Sequence, residues 1–128
     1  MAGKRVMLIE DNPVNRRLAQ FLLKSQGYVV CEAASAPEAF ATLKEQRPDL
    51  ILMDIQLPVM DGLTATRQLK ADPATRDIPV VAVTSYAMQG DEGKALAAGC
   101  DAYITKPIDK TRFLETVAGL LAARESKS

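Results

Sequence analysis

Four short apolar runs divide this chain, and each ends at residues with a carboxylate, hydroxyl or ammonium side chain. The runs and the polar residues that follow them are 6–9 before Glu10 and Asp11, 50–53 before Asp54, 80–83 before Thr84 and Ser85, and 102–104 before Thr105 and Lys106. Runs of this length between polar residues are typical of strands buried in a parallel sheet. If the four strands are neighbours, their carboxyl ends meet at one edge, where open α/β folds bind ligands. The sequence therefore predicts one crevice that holds three carboxylates, a hydroxyl and an ammonium group.

Helical segments separate the strands, including a shorter second strand over 28–31. Asn12 and Pro13 can start a first helix that Gly27 closes, and Ser35 can cap a second helix that runs to about Gln46. The sequence further predicts helices over 63–71 and 91–98, and a last one that begins after Asp109. Alternation of strands and helices favours a doubly wound parallel sheet with helices on both faces. The predicted inward stripe of the first helix is Val14, Leu18, Phe21 and Leu22, and that of the last helix is Phe113, Leu114, Val117, Leu120 and Leu121.

Length and charge limit the class of protein. The chain has 128 residues, enough for a single core, and we expect one domain over 1–122, a polar tail over 123–128 and no output domain. Sixteen basic and sixteen acidic residues cancel, which argues against a nonspecific electrostatic grip on nucleic acid or on an anionic membrane. The first apolar run is too short for a signal peptide or a membrane span. We therefore expect a cytoplasmic protein.

The two cysteines, Cys31 and Cys100, are far apart in a sequence without histidine. Neither a zinc site nor a Cys-x-x-Cys redox motif fits this pattern. The expected state is two reduced, partly buried thiols.

Three carboxylates at one sheet edge would repel one another, and at least one pKa would rise. Glu10, Asp11 and Asp54 offer only oxygen ligands, which suit a hard cation such as Mg²⁺. Taken singly, each acid can equally be a helix cap or a solvated strand end. Taken together with Lys106 and Thr84 at matched strand ends, they favour a metal-dependent phosphoryl site.

The ordered motifs resemble the receiver domains of two-component response regulators over nearly the whole chain. The matching segments are 9–12, 49–58 with 60–62, 83–85 and 103–107, and segments 88–92 and 99–103 are similar to single-domain members that regulate cell division. The resemblance implies a flavodoxin-like sheet of five parallel strands in the order 2-1-3-4-5. It also implies a stand-alone signalling phosphoacceptor that catalyses only its own phosphorylation and dephosphorylation.

The resemblance further assigns roles at the crevice. Asp54 would accept a phosphoryl group from a phosphohistidine on a sensor histidine kinase or a histidine phosphotransferase. Asp11, Asp54 and the backbone carbonyl of Gln56 would bind Mg²⁺ directly, and Glu10 would reach it through water. Lys106 and Thr84 would contact the phosphoryl oxygens, with help from backbone N–H groups near Gln56 and Ser85. A cis bond before Pro107 would aim the lysine.

The same resemblance implies a switch. Thr84 would move toward the phosphoryl group and Tyr103 would rotate inward, which would remodel the face formed by helix 4, strand 5 and helix 5 for a downstream protein. Without the resemblance, Tyr103 is better explained as a half-buried strand aromatic, and Thr84 as a strand-end hydroxyl. Gln56 and Tyr86 occupy positions that vary in the family and would tune the lifetime of the acyl phosphate. A monomer or weak dimer is expected.

Two other classes of protein are weaker fits. A hydrolase that forms an aspartyl phosphate would need an acid two residues after its nucleophile, and Gln56 cannot serve as that acid. A flavin-binding electron carrier would need a phosphate-binding loop where this chain has Glu10 and Asp11. A shuttle in a phosphorelay and an allosteric activator of a kinase remain equally compatible with the sequence.

Overall fold

The structure, a computed structural model, describes residues 3–57, 60–84 and 91–126. The roles predicted for Ser85 and Tyr86, and the motif residues at 58 and 88–90, lie outside these ranges. Five strands alternate with five helices along the described chain. They are β1 (Arg5–Ile9), α1 (Pro13–Ser25), β2 (Val29–Ala33), α2 (Ala36–Leu43), β3 (Leu50–Asp54), α3 (Gly62–Ala71), β4 (Val80–Thr84), α4 (Asp91–Ala98), β5 (Ala102–Thr105) and α5 (Lys110–Ser126).

The strands form one parallel sheet in the order β2-β1-β3-β4-β5, which confirms the predicted doubly wound fold. Ile9 of β1 lies beside Met53 of β3. Thr84 of β4 lies beside Thr105 of β5. This register brings the polar residues that follow each strand to the same edge of the sheet.

Side chains that alternate along β1, β3 and β4 fill two separate core layers, as the two-residue period of a strand requires. Met7, Ile9 and Ile51 belong to the layer that α2, α3 and α4 cover. Val6 and Leu8, one residue out of phase, belong to the layer that α1 and α5 cover. Burial on both faces explains why the strands read as continuous apolar runs instead of alternating ones.

Helix α1 differs from its predicted orientation. The Asn12 carboxamide oxygen caps its first turn at 2.9 Å from the Val14 N–H, as expected. However, Val14, Leu18 and Phe21 are 73, 45 and 69% exposed. Of the predicted stripe only Leu22 is buried. The residues that face the sheet are Ala19, Leu22 and Leu23.

The reason for this error lies in the width of the apolar arc. At 3.6 residues per turn, the apolar residues of this helix span more than half of its circumference. In order around the helix, they are Phe21, Val14, Leu18, Leu22, Ala19 and Leu23. A spacing pattern shows that such an arc exists but does not select the part that packs. The small Ala19 side chain allows close approach to the sheet, and the larger residues at the other end of the arc stay in solvent.

Several element boundaries also differ from the sequence-based predictions. Helix α5 continues to Ser126, through most of the segment predicted to be a tail. Arg124 donates to the Asp49 carbonyl oxygen at 2.6 Å, which anchors this last turn to the start of β3. Helix α2 ends at Leu43, three residues before the predicted end, and β2 runs from Val29 to Ala33 instead of from 28 to 31.

Both thiols are free, with Cys31 half-buried and Cys100 buried. Over the described ranges, every helix is too short or too polar to cross a bilayer.

Candidate phosphoacceptor and metal site

The carboxyl edge of the sheet gathers the predicted polar side chains. Glu10 follows β1, Asp54 ends β3 and Thr84 ends β4, and these residues are only 4, 5 and 1% exposed. Asp11 lies at the solvent side of the group. Four buried or bordering polar groups at adjacent strand ends therefore form one site, as the sequence predicts.

The three acids are close enough to share a cation. One carboxylate oxygen from each of Glu10, Asp11 and Asp54 lies within 4.8 Å of the other two. This set contains only oxygen ligands and combines two buried acids with one open to solvent. Such a set fits Mg²⁺, which binds through one or two carboxylates and keeps several waters.

Lys106 supplies positive charge to this cluster. Its Nζ forms an ion pair with Glu10 Oε1 and lies 3.5 Å from Asp54 Oδ2. The Lys106 side chain is only 11% exposed, so water screens these pairs weakly. One ammonium group thus faces two buried carboxylates, and the cluster keeps an excess of negative charge.

Glu10 carries the clearest electrostatic consequence of this arrangement. Burial, together with the hydrogen bond and negative charge of Asp54, raises the pKa of Glu10 to about 7, although Lys106 opposes the shift. Arg16 reaches back from α1 and donates to the Glu10 carbonyl oxygen at 2.9 Å. This contact helps to fix the position of the Glu10 backbone.

Asp54 is held in place by the loop that follows it. The Gln56 N–H donates to Asp54 Oδ1 at 2.9 Å, which fixes the rotation of the carboxylate. Gly62, at the start of α3, packs directly against this loop, and an added Cβ would lie 2.3 Å from the Asp54 carbonyl oxygen. Only glycine allows this approach.

Thr84 has a partner that sequence reasoning missed. The Gln56 side-chain amide donates to Thr84 Oγ1 at 2.8 Å. The sequence pointed to the Gln56 carbonyl and to a general effect on acyl-phosphate lifetime, but no spacing rule links residues 56 and 84. The contact arises because the loop after β3 lies beside the end of β4.

The remaining predicted residues lie on β5 and just beyond it. Tyr103 is half-buried against the core layer of α2, α3 and α4. The Lys106 N–H donates to the Thr84 carbonyl oxygen at 2.7 Å, which ties the lysine backbone to β4. The bond between Lys106 and Pro107 is cis, as the resemblance implied.

Together, the sheet order and this edge define a class of protein. The family model for the response regulator receiver domain matches residues 6–118, and the chain belongs to this family. The chain is also 48% identical over 118 residues to the polar-differentiation response regulator DivK of Brucella anthropi, which covers 92% of this chain and 96% of that protein. DivK of Brucella melitensis biotype 1 matches with the same identity and coverage.

Solved structures agree with this assignment. The receiver domain of the sensor histidine kinase PA1611 from Pseudomonas aeruginosa, which has a magnesium ion coordinated in its active site cleft, superposes with a TM-score of 0.86 at 38% identity over 94% of this chain and 99% of that one. A CheY-like receiver domain protein from Methanospirillum hungatei superposes with a TM-score of 0.90 at 29% identity, over 99% of this chain and all of the other.

Proposed function

We propose that this chain is a response regulator that accepts a phosphoryl group from a phosphohistidine protein onto Asp54 in a Mg²⁺-dependent reaction. The observation that carries the proposal is the buried Asp54 carboxylate, which shares one edge with the oxygens of Glu10 and Asp11 and with the Lys106 ammonium group. A carboxylate held this way is an oriented nucleophile in a site that favours a cation and a phosphate together.

The transfer step is a displacement at phosphorus. A carboxylate oxygen of Asp54 forms a bond to phosphorus as the bond from phosphorus to the imidazole nitrogen breaks, and the electron pair of that bond stays on the imidazole. Lys106, which pairs with Glu10 and Asp54 here, is placed to pair with a phosphoryl oxygen as a point charge. The Thr84 hydroxyl would donate to a second oxygen.

The acidic cluster would hold the cation. Asp11, Asp54 and the Gln56 carbonyl would bind Mg²⁺ directly, with Glu10 acting through water. Held by these residues, Mg²⁺ would supply charge neutralisation at the phosphoryl oxygens. The raised pKa of Glu10 supports this role, because burial and then the hydrogen bond and negative charge of Asp54 oppose ionisation of Glu10 more than Lys106 favours it.

We place the phosphohistidine donor on the exposed side of α1. Val14, Leu18 and Phe21 recur at helical spacing on one face, and large apolar side chains exposed together mark interaction surfaces. Helix α1 begins at Pro13, two residues after Asp11, so this face adjoins the acidic cleft. A donor helix packed on the face would bring its phosphohistidine toward Asp54.

Phosphorylation would then change a second face. Movement of Thr84 toward the phosphoryl group and rotation of Tyr103 would alter the surface of α4, β5 and α5, where a downstream protein binds. Thr84 and Tyr103 are on adjacent strands, with Tyr103 opposite Ala82 in register. By similarity to the DivK proteins, we propose a cytoplasmic role in cell-cycle signalling, as a monomer or weak dimer.

Intact-mass measurement after incubation with acetyl phosphate tests the reaction. We expect a gain of one phosphoryl group that requires Mg²⁺, is lost in Asp54→Asn and persists in Asp77→Asn, which makes the same change at an exposed acid outside the site. If acetyl phosphate fails, a phosphorylated histidine kinase replaces it. A gain that survives in Asp54→Asn, or no gain from either donor, would refute the proposal.

A further inference from the structure

The contact between Gln56 and Thr84 joins the loop after the phosphoacceptor to the switch residue. Thr84 is 1% exposed, so bulk water does not easily replace a lost partner of its hydroxyl. The Gln56 side chain is open to solvent, but its backbone N–H is anchored on Asp54 Oδ1. Gln56 therefore contacts the acceptor carboxylate through its backbone and the switch hydroxyl through its side chain.

The direction of this hydrogen bond has a chemical consequence. An amide nitrogen can only donate, so Thr84 Oγ1 acts as the acceptor in the 2.8 Å contact. A hydroxyl has one proton and two lone pairs. With one lone pair occupied by the amide, the Thr84 proton must point away from Gln56, toward another acceptor.

We propose that Gln56 is a positioning residue that keeps the Thr84 hydroxyl oriented as a donor toward the phosphoryl group on Asp54. The inference rests on the proposed function, and it adds a means by which this chain sets its affinity for the phosphoryl group. This affinity contributes to the equilibrium between the two states of the switch. It is distinct from the rate at which water removes the phosphoryl group.

A double-mutant cycle with beryllofluoride, a phosphoryl mimic that binds carboxylates, tests the inference. Affinity is measured in excess Mg²⁺ by fluorine NMR for wild type, Gln56→Met, Thr84→Val and the double variant. Methionine keeps the length of the side chain but cannot donate. We expect Gln56→Met to weaken binding by about twofold to tenfold, the range for one neutral hydrogen bond.

The coupling between the substitutions at Gln56 and Thr84 decides whether the inference holds. In the Thr84→Val background, which has no hydroxyl to orient, Gln56→Met should leave the affinity unchanged. An equal loss in both backgrounds, or no loss in the Thr84 background, would overturn the inference. Wild-type protein that does not bind beryllofluoride at all would instead refute the proposed function, so the two failures are distinguishable.

A second cycle with Gln56→Glu strengthens the test. A carboxylate in place of the amide accepts the Thr84 proton and turns it away from the phosphoryl group. The negative charge of the glutamate weakens beryllofluoride binding in both backgrounds, so this effect cancels in the double-mutant cycle. We expect a larger coupling than for Gln56→Met, and a smaller one would count against the orientation argument.

Discussion

The two ends of the sheet differ in how far the charge of their acidic side chains is compensated by hydrogen-bond and ion-pair partners. At the carboxyl end, the described residues place three carboxylates around a single ammonium group, Lys106. At the amino end, Asp101 Oδ2 accepts from Lys70 Nζ at 3.0 Å and from the Val80 N–H at 2.8 Å. Asp49 likewise accepts from the Arg5 N–H at 2.8 Å and lies 3.7 Å from Arg124.

This difference separates acids whose charge is compensated within the fold from acids whose charge the described residues compensate only in part. The cations of the amino end also satisfy backbone carbonyls, since Lys70 donates to the Ile78 oxygen at 2.8 Å and Arg47 donates to that of Ala74. Lys70 uses all three of its donors in this way, on the Arg76 and Ile78 carbonyl oxygens and on Asp101, at the edge of a cleft of about 620 Å³. The carboxyl end instead retains a deficit of positive charge, and a cation would relieve it.

Removing an acid at the amino end should therefore destabilise the protein. We expect Asp101→Ala to lower the free energy of unfolding by about 2 to 3 kcal/mol, because it strands the Val80 N–H and removes the carboxylate partner of Lys70. Urea denaturation measures this change. Asp101→Asn keeps an acceptor oxygen for Val80 and should lose less; equal losses in both variants would show that the hydrogen bond to Val80 contributes nothing.

Removing an acid at the carboxyl end should have the opposite sign. Because the pKa of Glu10 is about 7 in the folded protein and 4.5 in the reference state, ionising Glu10 costs stability as the pH rises between these values. Without Mg²⁺, Glu10→Gln should thus raise the free energy of unfolding by about 1 to 2 kcal/mol at pH 8. The gain should largely disappear near pH 5, where Glu10 is protonated in the folded state.

Urea denaturation at the two pH values checks this prediction, and Asp49→Asn is its matched control. Asp49→Asn removes the same charge from the amino end and should weaken the fold at pH 8. A loss of stability in Glu10→Gln at pH 8 would mean that the Lys106 pair outweighs the cost of burial. The acids at both ends of the sheet would then stabilise the folded protein.

The polar residues at the carboxyl end of the sheet could be predicted because local sequence patterns place them there. A buried parallel strand is a short apolar run, and the residue that ends the run must lie at the sheet edge, which places Glu10, Asp54 and Thr84. Contacts between segments that are distant in the chain leave no such local pattern. The Gln56 amide meets Thr84, and Arg124 meets Asp49, only because the tertiary fold brings distant segments together.

The sequence also failed to predict which side of α1 packs on the sheet. A substitution on the exposed side of this helix should have the smallest effect on stability. Phe21 is 69% exposed although it belongs to an apolar arc, whereas Leu23 is fully buried in the same helix. Phe21→Ser should change the free energy of unfolding by less than about 0.5 kcal/mol. Leu23→Ala should lower it by about 3 kcal/mol, because it leaves a cavity under α1. Thermal or urea unfolding of the two variants compares the two sides of one helix.

The same variant tests whether the exposed side of α1 serves the acidic end of the sheet. Phosphoryl transfer to Phe21→Ser from a phosphohistidine protein should slow by about tenfold, because an apolar anchor of the donor complex is lost. Transfer from acetyl phosphate, which needs no protein surface, should be unchanged. Slowing with both donors would instead place the effect of Phe21 in the site itself. Slowing with neither would leave this face without a part in phosphorylation, because a surface that binds the donor must contribute to the rate at which the donor reacts.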